Sequence, residues 1–571
     1  MKPTRYFFLI SLFFVLIQGT TFAQYPLPQH IEKSVVKDKA MVVAPHPLAS
    51  QVGLDILLKG GNAIDAAVAV QFAMAVVFPR AGNIGGGGLM VIRKSDGKLD
   101  ALDYREKAPA KAGRDMYLDA KGNVVSGLST EGHLASGIPG TVAGMIAAHK
   151  KYGKLKFKAL IKPAIDLAEK GFAISQAEAD RLNTYKTVFT KYNSDDNPFL
   201  KEDLWKVGDV LIQKNIAATL TRVMKKGKAG FYEGKTAEFL VAEMARGNGL
   251  ISLEDLKGYD AKWREPVTIP YKNYRIISMP PPSSGGIALL QLMKMAEQYP
   301  LKDYGFHSLK AIHVTTEIER RVFADRAQYL GDPDFHKVPK DSLLNSYYLR
   351  NRMKSFNPLA PTSSKDILAG DFKMSKESFE TEHTSIVDEQ GNAVSVTTTL
   401  NSNFGNKVLV HGAGFFLNNE MDDFSSKVGV PNQFGLVGAE ANAIQPQKRM
   451  LSSMTPTIVE KDGKLFLVIG APGGSTIITA VYQVMLNVME FGMPINEAIT
   501  AGRLHHQWLP DEIWIEKNAL TPERKAELEK KGHKIREIDR MAVVKAILRL
   551  PNGQLHGGAD PRNPDDDAKG Y

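Results

Sequence analysis

Four pairs of short apolar, β-branched segments in this chain are each joined by a turn too tight for anything but an antiparallel hairpin. Residues 89–92 and 99–105 flank Asp96-Gly97, and 383–387 and 393–400 flank Asp388-Glu389-Gln390-Gly391-Asn392. Residues 457–460 and 465–469 flank Asp462-Gly463, and 543–550 and 554–557 flank Pro551-Asn552-Gly553. Glycine beside Asp or Asn supplies the positive φ that such turns demand. A further strand is expected at 41–44. Between the strands run segments with helical spacing. Leu48, Val52, Ile56 and Leu57 recur on one face before Gly60-Gly61 stops the pattern. Residues 65–77 are rich in Ala and Val, which predicts a helix buried on most sides and ended by Pro79. The middle, 110–370, reads mainly helical (160–170, 217–226, 236–246 and 308–329), broken by Pro280-Pro281-Pro282-Ser283-Ser284-Gly285-Gly286. From about 381 strands dominate. Antiparallel hairpins with helices around them predict an α+β fold in which sheets lie between helical layers.

Composition narrows the function. At 571 residues, 43% apolar and 23% charged, the chain has ordinary globular content and ample length for a large core. Lys2 and Arg5 precede an apolar run over 6–17 and a small-residue stretch ending Thr21-Phe22-Ala23. That order is a secretory signal peptide, 1–23, cut after Ala23. The run is shorter than the roughly 20 residues of a comfortable span, and no later segment is apolar enough to cross a bilayer. The mature protein is therefore expected to be exported and soluble, in the periplasm or, alternatively, outside the cell. The absence of cysteine excludes disulfides, thiolate chemistry and Cys-ligated metals. A net charge of +10 is spread over the whole length rather than gathered in a stripe with aromatics, which argues against a nucleic-acid partner. His505-His506 does not suggest a metal, because adjacent histidines point apart on a strand and no third ligand is suitably spaced. The glycine run 85–88 lacks the Lys-Ser/Thr of a phosphate-binding loop and reads as structural.

The chemistry gathers after residue 380. Thr381-Glu382-His383-Thr384-Ser385 begins where a charged segment, 365–380, meets a strand. A threonine hydroxyl is a poor nucleophile without a base beside it, and an N-terminal threonine carries one in its own α-amine. Downstream come Thr397-Thr398-Thr399-Leu400-Asn401 and Asn418-Asn419-Glu420-Met421-Asp422-Asp423-Phe424. Leu451-Ser452-Ser453-Met454-Thr455-Pro456-Thr457 and Gly470-Ala471-Pro472-Gly473-Gly474-Ser475 follow. Gly473 and Gly474 sit at a strand end before a helical run, 477–488, where bare backbone N–H groups can approach a developing oxyanion.

In these motifs, and in Gly60-Gly61-Asn62-Ala63-Ile64-Asp65, Asp103-Tyr104-Arg105-Glu106, Ala324-Asp325-Arg326, His505-His506-Gln507-Trp508 and Ala559-Asp560-Pro561-Arg562, the chain resembles the γ-glutamyltranspeptidases of the N-terminal-nucleophile hydrolase superfamily. The motifs are co-linear over essentially the whole mature chain. The resemblance implies a four-layer αββα sandwich and a precursor that cuts itself between Glu380 and Thr381. A large subunit, 24–380, and a small one, 381–571, would then form one intertwined unit. It implies Thr381 as nucleophile and Thr399 as the group orienting it, with Gly473 and Gly474 as oxyanion donors. Arg105, Ser452 and Ser453 would take the α-carboxylate of a γ-glutamyl donor, and Asp423, Glu420 and Asn401 its ammonium. No cofactor is needed. The implied partners are glutathione or other γ-glutamyl amides, with water, amino acids or dipeptides as acceptors. The chain departs from the commoner Thr-Thr-His-aromatic pattern at Glu382 and Thr384. In a loop over 431–449 it has Phe434 where some relatives have a tyrosine. Two other readings remain at this stage: a glutaryl (cephalosporin) acylase, which needs no ammonium partner, and an inactive binding scaffold.

Overall fold

A computed structural model describes residues 25–26, 30–194, 197–369, 381–427, 430, 432–433 and 439–571. The signal segment, Glu380 and Phe434 lie outside the described residues. Two seven-stranded antiparallel sheets form the centre. Their strands are β1 (Ser34–Lys37), β2 (Met41–Ala44), β3 (Gly87–Arg93), β4 (Leu99–Tyr104), β5 (Lys262–Arg264), β6 (Val267–Tyr271) and β7 (Tyr274–Ser278). After residue 381 come β8 (Glu382–Val387), β9 (Ala393–Thr399), β10 (Thr457–Lys461), β11 (Lys464–Gly470), β12 (Lys545–Arg549), β13 (Leu555–Ala559) and β14 (Asp567–Gly570). One sheet runs β1-β13-β12-β11-β10-β7-β6 and the other β14-β2-β8-β9-β3-β4-β5.

Strand alternation divides the second sheet between two cores. Val42, Ala44, Met90, Ile92, Ile386, Val394 and Val396 face helices α1 (Pro47–Leu58), α2 (Ala63–Val77), α3 (Thr141–Tyr152) and α4 (Phe157–Lys170). Their neighbours Met41, Val43, Leu89, Val91 and Val387 face the other sheet. That sheet is covered in turn by α5 (Gly285–Ala296), α6 (Leu309–Tyr329), α7 (Thr476–Met489) and α8 (Ile495–Thr500). The layer order is αββα. Every residue of α2 is buried, because it lies between its sheet and further helices.

Two sequence expectations need correction. The middle of the chain is not only helical: β5 forms the edge of one sheet, and the β6–β7 hairpin the edge of the other. Its alternation is plain, with Val267, Ile269 and Tyr271 buried and Thr268 and Pro270 exposed. The glycine run also does not merely precede β3, since Gly87 and Gly88 belong to it. The second sheet interleaves β2, β3 and β4 with β8 and β9, so residues on either side of position 381 share one sheet.

Candidate active site

Thr381 immediately precedes β8 and Thr399 ends β9, and these two central strands pair with Glu382 opposite Thr398. The pairing brings both threonines to one end of the sheet. The Thr381 hydroxyl donates to Thr399 Oγ1 at 3.5 Å, a long contact of the kind that tightens when a reacting group arrives. Thr399 Oγ1 also accepts the Asn401 amide at 2.7 Å. The glycines of the 85–88 run explain how β3 comes so near. A Cβ on Gly86 would lie 2.0 Å from the Thr399 carbonyl oxygen, and one on Gly88 2.5 Å from that of Thr397.

Next along β8, the faces separate. His383 points between the sheets, with Nδ1 2.8 Å from Thr397 Oγ1 and Nε2 3.1 Å from Ser385 Oγ. Burial holds its pKa well below the ordinary value, so it is a neutral strut. Glu382 faces α2 and is 1% exposed. Burial pushes its carboxyl up to about 8, with Lys545, Arg80 and Gln71 pulling the other way. The departure at 382 thus places a protonated carboxylic acid beside Thr381 at neutral pH.

Gly473 and Gly474 occupy the turn from β11 into α7, at φ +138° and +57°. Both values lie where side chains are strained, and a Cβ on Gly473 would also strike Ala542 at 2.6 Å. Thr476 Oγ1 donates to the Gly473 carbonyl (2.8 Å) and accepts from the Ala542 amide (3.1 Å). Among the described residues, nothing accepts the N–H of Gly473 or Gly474. Ser475 donates to Gln507 Oε1 at 2.9 Å, and His505 lies 3.3 Å from the same hydroxyl. His505 is further bonded to Thr479 Oγ1 at 2.8 Å, and burial drops its pKa to about 3. His506 Nε2 lies 3.4 Å from Asp511. His505 therefore braces the turn, while His506 is tied to Asp511 and Glu319 instead.

Arg105 follows β4 and is buried among three carboxyl groups. Glu420 lies 2.5 Å and Glu106 3.4 Å from Nη1, while Nη2 donates to Asp423. The carbonyls of Met450 (3.4 Å) and Leu451 (3.3 Å) complete its shell. Burial raises all three carboxyl pKa values against the pull of Arg105, that of Glu106 to about 7. Glu420 and Asp423 share one 3-10 turn (Glu420–Asp423). Asn401 sits at φ +74°, donates to the Asn419 carbonyl at 3.1 Å, and hydrogen-bonds Asp423. Thr399 stands beside Glu420, whose carboxyl oxygens make no hydrogen bond of regular geometry. A continuous polar chain therefore runs from Thr381 through Thr399 and Asn401 to Asp423 and Arg105.

Ser452 and Ser453 follow the Leu451 carbonyl that Arg105 grips. Ser452 Oγ accepts the Met454 amide at 3.1 Å, and Ser453 Oγ accepts Arg326 Nη2 at 2.9 Å. Arg326 Nε donates to Ser284 Oγ at 2.8 Å, and the Ser284 amide donates to the Ser452 carbonyl at 2.7 Å. Sequence reasoning left Arg326, Glu106 and Ser284 without roles. Their only signal was membership of the motifs Ala324-Asp325-Arg326, Asp103-Tyr104-Arg105-Glu106 and Pro281-Pro282-Ser283-Ser284.

This arrangement can hold a zwitterionic acyl group beside a threonine hydroxyl and a pair of unoccupied amides. The sequence model for gamma-glutamyltranspeptidase matches residues 49–570. The chain belongs to the γ-glutamyltranspeptidase family. It is 46% identical over 550 residues to the glutathione hydrolase proenzyme of Escherichia coli (strain K12), covering 96% of this chain and 94% of that protein. With the glutathione hydrolase proenzyme of Bacillus subtilis (strain 168) it shares 38% identity over 93% of its length and 91% of the relative's. Among solved structures, γ-glutamyltranspeptidase from Helicobacter pylori aligns at TM-score 0.57 and 47% identity, over 60% of this chain and 97% of that one. A cephalosporin acylase from Bacillus halodurans aligns at TM-score 0.81 and 27% identity, over 98% and 99%. The αββα architecture of this γ-glutamyltranspeptidase family member is thus that of the N-terminal-nucleophile hydrolases.

Proposed function

We propose that the chain is a self-cleaving γ-glutamyltransferase and glutathione hydrolase with Thr381 as its nucleophile. The observation that carries this reading is the polar chain from Thr381 Oγ1 through Thr399 and Asn401 to the Arg105–Asp423 pair. In maturation, the Thr381 hydroxyl attacks the carbonyl of Glu380 and the peptide C–N bond gives way to an ester. Water cleaves that ester, leaving a Glu380 carboxylate and a Thr381 α-amine. Residues 24–380 and 381–571 then remain together through the shared second sheet.

In turnover, the new amine takes the hydroxyl proton as Oγ1 attacks the γ-carbonyl of the donor. The oxyanion is received by the amides of Gly473 and Gly474, and the leaving amine departs with a proton. For glutathione that amine belongs to cysteinylglycine. The α-carboxylate of the glutamyl group binds Arg105 with Ser452 and Ser453, and its ammonium binds Asp423, Glu420 and Asn401. In the empty site Arg105 and Asp423 satisfy each other, so the donor exchanges one internal ion pair for two new ones of the same sign pattern. Water or an amino acid or dipeptide amine then releases the acyl group.

The likeness to a cephalosporin acylase raises a second reading, a glutaryl amidase. Three carboxyl groups around one guanidinium favour the glutamyl reading, because a glutaryl group has no ammonium to meet them. Among the described residues no helix is long and apolar enough to cross a membrane. With the signal-like 1–23 segment, we place the enzyme in the periplasm, with the extracellular medium as the alternative. The test is an intact-mass spectrum of wild type beside Thr381→Ala, followed by glutamate release from glutathione. Two fragments in wild type, the smaller starting at Thr381, with an uncut variant and glutamate released only by wild type, is the expected result. An uncut but active wild type, or a cut wild type inert on every γ-glutamyl amide, would refute the reading.

A further inference from the structure

An apolar cavity lies away from the two threonines, where the C-terminal half of α7 meets α6 and the segment before it. Its walls include Leu301, Phe306, Ile312, Val484, Phe491 and Leu504. Val484 and Asn487, its contributions from α7, lie roughly 12–17 Å along the helix from Thr476 at the oxyanion turn. None of the residues assigned to the glutamyl pocket lines it. Phe306 stands at the mouth, 39% exposed and edge-on to Phe491 at 5.7 Å. The free volume is about 50 Å³, a third of the roughly 150 Å³ that holds a benzene ring. Such a space suits a short alkyl chain and not a ring.

Its floor holds an unmet group. Glu319 of α6 lines the cavity and is buried. One carboxyl oxygen accepts the His506 amide at 2.8 Å, and the other makes no hydrogen bond of regular geometry. The amide donors around it are committed elsewhere. Gln483 Nε2 donates to the carbonyls of Thr479 and Leu504, and Asn487 Nδ2 to that of Ala498. The Tyr482 hydroxyl is likewise buried with no bond of regular geometry, close enough for the charge of Glu319 to act on it. Burial pushes the Glu319 carboxyl well above the ordinary range, while the His506 amide pulls the other way. A buried carboxyl in that state carries a desolvation cost that an incoming cationic donor would relieve. The other charged groups in the lining leave room for one. Arg503 is matched by Asp560 at 2.7 Å, and burial holds His307 neutral, its pKa dropped to about 4.

We propose that this cavity binds a short-chain primary alkylammonium, with its ammonium on Glu319 and its chain running out between Phe306 and Phe491. An ammonium carries three N–H donors and no acceptor, which matches an unbonded carboxyl oxygen and an unbonded phenol oxygen. A carboxylate ligand would find the guanidinium of Arg503 already paired. The last torsion of a glutamate side chain is soft, so a small rotation turns the unbonded oxygen to the ligand. On binding, Glu319 releases its proton to solvent and the resulting carboxylate pairs with the ammonium. The site does not depend on the reading of the chain as a transferase.

Calorimetric titration of the wild-type enzyme with n-butylammonium, with no γ-glutamyl donor present, is the test. Binding should saturate at one site, and raising the pH from 6 to 7 should lower the Kd about tenfold as one proton is released. Butan-1-ol, with the same chain and no charge, should bind about tenfold more weakly or worse. Glu319→Gln should raise the Kd by about tenfold or more and abolish its pH dependence. Ala311→Leu fills the cavity without changing the carboxyl and should also raise the Kd about tenfold, which keeps the test alive if Glu319→Gln folds poorly. Thermal unfolding without ligand shows that each variant is folded. Affinity unchanged in either folded variant, equal affinity for the alcohol, or absence of saturable binding to wild type would overturn the proposal. Each of these results leaves the transferase reading standing.

Discussion

Arg105 is one guanidinium facing three carboxyl groups, Glu106, Glu420 and Asp423. Removing one carboxylate leaves the guanidinium with two others, so the fold should tolerate it, whereas the donor's ammonium would lose its most accessible partner. Asp423 keeps 13% of its side chain exposed, while Glu420 and Glu106 keep none. Asp423→Asn is therefore expected to lower kcat/KM for γ-glutamyl-p-nitroanilide about 100-fold, corresponding to roughly 3 kcal/mol for a charge-assisted contact. Its turnover of glutaryl-p-nitroanilide should not fall. Steady-state kinetics on the two anilides checks this, and equal losses on both would remove Asp423 from ammonium recognition.

At the level of elements, the site depends on how closely three strand ends approach. β8 and β9 deliver Thr381 and Thr399 to the same edge, and β3 can lie against them only because it starts in glycine. Gly86→Ala places a methyl 2.0 Å from the Thr399 carbonyl oxygen, and backbone has no rotamer with which to yield. The expected outcome is a loss of about 3 kcal/mol or more and slower self-cleavage, since the displaced group is Thr399 itself. Thermal unfolding and the fraction cut after purification, followed by gel, report the two effects. Gly97→Ala is the control: that glycine has nothing within 4 Å, so it would lose only the cost of its positive φ and should still cleave.

Across the whole molecule, buried ionisable groups set the pH range in which the fold is stable. Burial raises Glu106 and Asp422 to about 7 and Glu382 to about 8. Folded protein therefore holds protons there that the unfolded chain, with ordinary carboxyl values, has already lost. Such groups make stability fall as pH rises through the folded values. His307 and His506 are lowered to about 4, and His505 and His533 to about 3, all by burial. These make stability fall as pH drops below the unfolded value of about 6.5. Below 6.5 the two sets oppose each other; above it the histidines no longer change, and Lys448, lowered to about 8 by burial, opposes the carboxyls only from about pH 8 upward. The melting temperature of the uncut Thr381→Ala protein should therefore decline between pH 6.5 and 8.5. Adding Glu382→Gln should flatten that decline, as calorimetry at the two pH values would show.

The hairpins were legible because Asp-Gly and Asn-Gly turns leave the chain no other local option, and α1 and α2 because spacing and stops agree. Family motifs also marked Thr381, Thr399, Arg105, Asp423 and the Gly473-Gly474 turn, since each is a local pattern of residue types. The strands β5 to β7 escaped notice. They are short, and the edge positions that make them strands are supplied by partners far away, β4 for β5 and β10 for β7. The roles of Glu106 and Arg326 were equally hidden, because neither the 314 residues between Glu106 and Glu420, which share one guanidinium, nor the 127 between Arg326 and Ser453 are encoded by any nearby spacing. Local residue chemistry names the reacting groups and the turns. Which carboxyl groups surround Arg105, that Glu382 is buried, and that Glu319 lines an apolar cavity depend on how two sheets and two helical layers close on one another. Only that closure removes water, and removal of water is what makes those charges matter.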